Sequence, residues 1–172
     1  MTRQPRIRSY QLIVLLTVFF LSPLAGDRSY ARGPEMMPSF TLASAVDDSV
    51  IDSNSLAGKV LLINFWATWC GPCREEIPSL IELRKEFGKD GFEVVGISMD
   101  EGGRRLVSRF SEKMNINYPL VMGNSKVARA FGGIIGIPQS FLVDRDGKIV
   151  NSYAGLINHD VLEKDIKELL AR

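Results

Sequence analysis

Cysteine is scarce in this chain, with Cys70 and Cys73 alone among 172 residues, and histidine is scarcer, with only His159. A structural zinc site needs four ligands, mostly cysteine and histidine, so a closed Cys/His zinc site is excluded. Neither sign of charge dominates, with 21 Lys and Arg against 20 Asp and Glu. Four of the basic residues and one acidic residue fall within residues 1–31, which leaves residues 32–172 with a net charge of −2. Nothing in that balance points to a nucleic-acid partner. There are no internal repeats and no low-complexity segments. The peroxidatic Thr-x-x-Cys pattern is missing too, because Thr68 stands two residues before Cys70 rather than three.

What is present at the start is an export pattern. Arg3, Arg6 and Arg8 form a basic region, an apolar run follows from Leu12 to Leu21, and small residues appear at Ala25-Gly26 and Ser29-Tyr30-Ala31. This predicts a signal peptide over residues 1–31, cleaved near Ala25 or after Ala31. An uncleaved anchor is the other reading, although the run is short for a span of about 20 residues. Asp27 follows Leu24-Ala25-Gly26 where a lipoprotein would carry cysteine, and this region has no adjacent Arg-Arg pair for twin-arginine export. Residues 32–37 read as a linker, and 38–172 as one domain.

Hydrophobic periodicity orders that domain. Ser39–Ala43 and Val50–Asp52 are weak strand candidates that suggest a small hairpin. Val60–Trp66 is apolar at both phases of the strand alternation, as a buried central strand should be. Gly71–Phe87 reads as a helix with Ile77, Leu80, Ile81, Leu83 and Phe87 apolar and with Pro78 expected to kink it. Strand Phe92–Ser98, helix Gly103–Met114, strand Tyr118–Met122 and helix Lys126–Phe131 follow. Strands Ser140–Val143 and Lys148–Tyr153 flank the turn Arg145-Asp146-Gly147. A last helix covers His159–Leu170, with Val161, Leu162, Ile166, Leu169 and Leu170 as its apolar stripe. The pattern gives a mixed sheet with helices on both faces.

Trp69-Cys70-Gly71-Pro72-Cys73 sits where the central strand gives way to the first helix. The helix start offers free N–H groups and its dipole to the first sulfur, so Cys70 should ionise below the free value of about 8.5. Cys73 lies one turn on, within reach of a disulfide. A structural disulfide across so short a loop would remove little chain entropy, so redox chemistry is the stronger reading. In an exported protein such a dithiol is an oxidant or a reductant kept reduced by a dedicated donor.

The run VLLINFWATWCGPCREEIPSL resembles a thioredoxin-fold active site, and the longer frame resembles the TlpA/ResA/CcmG group of exported thioredoxin-like proteins. PSFTLAS, LAGKVLLINFWATWC and GIIGIPQSFLVDRDGKIVNSYAG are similar to that group's opening strand, active-site lead-in, and cis-proline loop with closing hairpin. The similarity runs from about Pro38 to Arg172. It implies an α/β thioredoxin fold, a central mixed β-sheet flanked by helices, with an N-terminal β-hairpin and a TlpA-like helix-strand insertion near Asp100–Val121. It implies a thiol:disulfide oxidoreductase with no cofactor beyond a redox-active Cys70–Cys73 disulfide. The implied partners are disulfide-containing client proteins, apocytochrome c among them, and a membrane electron donor of the DsbD/CcdA type. The implied location is periplasmic or extracytoplasmic.

Cys70 is then the nucleophile and Cys73 the resolving thiol. Gly71-Pro72 resembles the reducing thioredoxin rather than the oxidant DsbA, about 150 mV higher in potential. The resemblance makes Ile137-Pro138 the cis-proline loop, whose backbone would pair with a bound client chain. Glu76, one turn after Cys73, matches the group's acid beside the cysteines and would exchange a proton with Cys73. Its rival reading is a solvated surface residue, as for Glu75. Asn64 stands where thioredoxin has a buried Asp, so that proton exchanger is absent. Trp66 reads as packed, Trp69 as a cover over the disulfide that meets client, and Phe65 as core. His159 reads as solvated, and Arg104, Arg105 and Arg109 as a solvated helix face. The alternatives carried forward are a disulfide oxidase or isomerase and, from another class, a metal- or haem-handling thiol chaperone.

Overall fold

The computed structural model describes residues 35–172, so the leader read over residues 1–31 lies outside them. Strands β1 (Thr41–Ala43) and β2 (Val50–Asp52) form an antiparallel hairpin. The main sheet holds β3 (Val60–Trp66), β4 (Phe92–Ser98), β5 (Leu120–Met122), β6 (Gln139–Val143) and β7 (Ile149–Ala154) in the order β5-β4-β3-β6-β7. The pairs β3–β4 and β4–β5 are parallel, whereas β3–β6 and β6–β7 are antiparallel. The helices are α1 (Gly71–Phe87), α2 (Arg104–Met114), α3 (Ser125–Ala130) and α4 (His159–Leu170).

Every residue of β3 and β4 is buried. Alternate residues of each strand feed opposite faces. One face sets Leu62, Trp66, Val94, Leu120 and Leu142 against Ile77, Leu80 and Leu83 of α1, Val107 of α2 and Leu162, Ile166 and Leu169 of α4. The other sets Leu61, Ile63, Phe65, Val95, Ile97 and Phe141 against Phe40, Leu42, Val127 and Phe131. Gly96 is required where β4 passes between these layers. A Cβ there would lie 2.5 Å from Leu120 Cδ2 and 3.0 Å from Trp66 Nε1. Its absence lets the Trp66 ring close on the sheet and pack against Phe110 at 5.6 Å.

Several expectations change in the folded chain. Residues 35–37, at the end of the segment read as a linker, are pinned to the β6–β7 turn. Met36 bridges Lys148, Met37 donates its N–H to the Gly147 carbonyl, and Ile149 donates to the Glu35 carbonyl. Val161 is exposed, because Leu162, Ile166 and Leu169 define the buried stripe and Val161 lies 100° round the helix from Leu162. His159 is half-buried rather than solvated, with Nδ1 2.7 Å from Ser79 Oγ of α1. Arg105 and Arg109 are exposed as read, but Arg104 donates to the Asp47 carbonyl and pairs with Asp48, tying α2 to the β1–β2 turn. Helix α1 runs over Gly71–Phe87 as read, with an exposed Pro78 inside it that has no N–H to give the Arg74 carbonyl.

Candidate active site

The site forms where β3 hands over to α1. Cys70 is the N-cap of that helix, and the Cys73 N–H donates to its sulfur at 3.3 Å. Pro72 occupies the first turn, where a missing N–H costs nothing. The two cysteines are joined as a disulfide, their Cα atoms 5.3 Å apart. Cys70 keeps 5% of its surface exposed and Cys73 none. A reagent approaching the pair from solvent therefore meets the Cys70 sulfur. Gly71 and Pro72 are exposed, and Trp69 is 69% exposed.

Across from the disulfide, the Ile137-Pro138 peptide bond is cis, and the Ile137 carbonyl oxygen lies 3.7 Å from the Cys70 sulfur. The strand pairing brings this loop there, since Pro138 immediately precedes β6, the antiparallel neighbour of β3. Cys70, Cys73, Ile137 and Pro138 are thus gathered at one end of the sheet, with Trp69 on the rim.

Glu76 lies behind the pair, 3% exposed. Its Oε1 accepts from Asn64 Nδ2 at 2.6 Å, while its Oε2 is buried with no hydrogen-bond partner. Burial pushes its pKa from 4.5 up to about 7, against smaller opposing pulls from the Asn64 amide and the Ile157 backbone N–H. The surface-residue reading of Glu76 fails on burial. Tyr118, from the segment before β5, is also buried. Its phenol is held well above the ordinary range, first by burial and then by the charge on Glu76.

Two residues of this region carry no signal in the motifs. Asp100, just past β4, accepts from the Thr68 N–H at 2.9 Å, from the Thr68 hydroxyl at 2.6 Å and from the Ser98 hydroxyl at 2.9 Å. It holds the loop that carries Trp69 into Cys70. Ser140 of β6 accepts from Asn64 Nδ2 at 2.9 Å. An acid two residues past the end of a buried strand was a usable hint for Asp100. Ser140 becomes visible only through the cross-strand register that pairs it with Asn64.

A disulfide presented on one side and sealed on the other has exchange with an outside thiol or disulfide as its chemistry. On this sheet it defines a thioredoxin-fold thiol:disulfide oxidoreductase. The chain belongs to the AhpC/TSA family, whose model matches residues 34–152, and within it to the thiol-disulfide oxidoreductases of ResA type. It is 30% identical over 151 residues to the thiol-disulfide oxidoreductase ResA of Halalkalibacterium halodurans, covering 88% of this chain and 85% of that one. To ResA of Bacillus subtilis it is 28% identical over 160 residues, covering 91% and 88%. Among solved structures it is similar to a thiol:disulfide interchange protein of the thioredoxin family from Chlorobium tepidum TLS. That match has a TM-score of 0.73 at 35% identity and covers 80% of this chain and 97% of that one.

Proposed function

We propose that the protein is an exported reductant of protein disulfides. The observation that carries the exchange chemistry is the asymmetry of the pair, with Cys70 5% exposed and Cys73 fully buried; Gly71-Pro72 between the cysteines supports the reducing direction. The Cys70 thiolate, stabilised by the Cys73 N–H and the helix dipole, attacks a client disulfide. One client sulfur leaves as a thiolate and the other stays bonded to Cys70. Glu76 accepts the Cys73 proton. The Cys73 thiolate then attacks Cys70, forming the Cys70–Cys73 disulfide and releasing the second client thiolate, which takes a proton from Glu76 or solvent. Two electrons pass from the dithiol to the client.

The client chain lies along Ile137-Pro138 as an added strand. Trp69 and Ile135, both exposed and apolar, flank its cysteine. The leader over residues 1–31 carries the protein out of the cytoplasm, and a membrane donor of the DsbD/CcdA type returns it to the dithiol. Apocytochrome c, which must keep its own thiols reduced, is the client class we favour.

A glutathione redox titration read by Trp fluorescence tests the direction. The expected potential lies near that of thioredoxin, about −270 mV, and a value near that of DsbA, about −120 mV, would make the protein an oxidase. Trapping mixed disulfides on Cys73→Ser in cells identifies the client. Stoichiometric, tight metal binding by the reduced protein would favour a chaperone instead.

A further inference from the structure

The buried contacts of Glu76 continue beyond Asn64. Asn64 and Ser140 are paired in the β3–β6 register, and both are almost wholly buried. One atom of Asn64, Nδ2, serves both neighbours, donating to Glu76 Oε1 at 2.6 Å and to Ser140 Oγ at 2.9 Å. A half-turn of the amide would therefore exchange a donor for an acceptor at both contacts together. Such a turn suits a protonated Glu76, whose hydroxyl would then donate to Asn64 Oδ1. Ser140 tolerates it as well, because a hydroxyl both donates and accepts. An ionised aspartate in place of Asn64 could present no donor to an ionised Glu76.

We propose that Asn64 and Ser140 are positioning residues for Glu76, forming a buried relay whose amide turns over as the carboxyl gains or loses its proton. Ser140 holds one Asn64 hydrogen so that the other is aimed at the ionised carboxylate. Without the hydroxyl, the ionised state is left with an unpaired buried N–H. In the turned, protonated state both Nδ2 hydrogens face away from Ser140 with or without the hydroxyl, so its loss there removes only one of two donors to the carbonyl. Loss of a buried donor's partner is the costlier defect, so removing the hydroxyl disfavours ionised Glu76. The titratable groups around this carboxyl are Cys73 on its own helix and Tyr118 before β5. His159 of α4 lies one helical turn further along α1, on Ser79.

The relay rests on Glu76 as the proton carrier for Cys73, but its test does not need turnover. The carboxyl carbon of Glu76 is titrated by NMR in the oxidised protein, where neither cysteine ionises. The expected result is a midpoint about one pH unit higher in Ser140→Ala than in wild type. Ser140→Thr should restore it, and Ser140→Val, matched to Thr in size, should not. The Thr and Val pair decides the matter if the Ala variant does not fold. An unchanged midpoint in the hydroxyl-free variants, or a Thr variant that behaves like Val, overturns the relay. The pH profile of insulin reduction should move with the midpoint. A moved midpoint with a fixed profile keeps the relay and removes Glu76 from the chemistry.

Discussion

Two glutamates are buried against the central sheet, one beside the disulfide and one at the start of β4. Glu93 accepts from Arg84 Nε at 3.2 Å and from its neighbour Val94 N–H at 3.3 Å, with Lys59 Nζ at 3.9 Å. Glu76 has no cation beside it, one hydrogen bond from the Asn64 amide, a smaller pull from the Ile157 backbone N–H, and an Oε2 without a hydrogen-bond partner. The same side chain is thus paired with cations at one place and buried with a raised pKa at the other. Burial costs a carboxylate its hydration, and only paired charges and hydrogen bonds return it. Where they are withheld, the proton is retained to higher pH, in the range where thiols are used.

The largest effect that sharpens this contrast is on the chemistry. Glu76→Gln keeps the contact with Asn64 but cannot take a proton. Insulin reduction should fall by about a hundredfold near neutral pH, the low end of what a general acid–base group supplies. The Glu76-free protein should also ionise a cysteine at lower pH, seen as thiolate absorbance, since a neighbouring carboxylate no longer opposes it. Superimposable pH profiles of the two proteins would make Glu76 as passive as Glu93.

Stability should separate the two sites next. Glu76 is raised from 4.5 to about 7 in the folded protein. Between those values the folded state holds a proton that the unfolded state has released, so stability falls as pH rises and levels off above about 7. The drop attributable to this group is about 3 kcal/mol. Denaturant titration of the oxidised protein from acid to neutral pH should show the slope in wild type and lose it in Glu76→Gln.

Asp100→Asn comes third. It places an amide where Thr68 and Ser98 now donate to a carboxylate, and should cost about 1–3 kcal/mol. It should also lower the rate, by loosening the loop before Cys70, a loss that the same assay would detect. Glu93→Gln is the smallest, about 1 kcal/mol in denaturant, since Arg84 and Lys59 are partly exposed and find water. Its activity should be that of wild type. A change in the pH profile of Glu93→Gln would break the comparison.

The strands Val60–Trp66 and Phe92–Ser98 and the helix Gly71–Phe87 were legible because burial on both faces, or a period of 3.6, is written into consecutive residues. The ends of β5 and α3 moved by one or two residues, where short elements give periodicity little to work with. Val161 misled because apolar character alone does not say which side of a helix faces the core.

The chemistry of the pair was readable in the order of residues alone. Two cysteines one turn apart at a strand-to-helix junction, with no other cysteine and a single histidine, leave thiol exchange as the chemistry to expect. Tertiary structure alone decided which polar side chains surround that pair. Asn64 meets Ser140 across 76 positions of sequence and Glu76 across 12, while Thr68 meets Asp100 across 32. Such contacts depend on strand register and helix placement, which no local pattern specifies. Whether a buried glutamate is paired with cations, as Glu93 is, or left with a raised pKa, as Glu76 is, depends on what packs around it after the chain has folded.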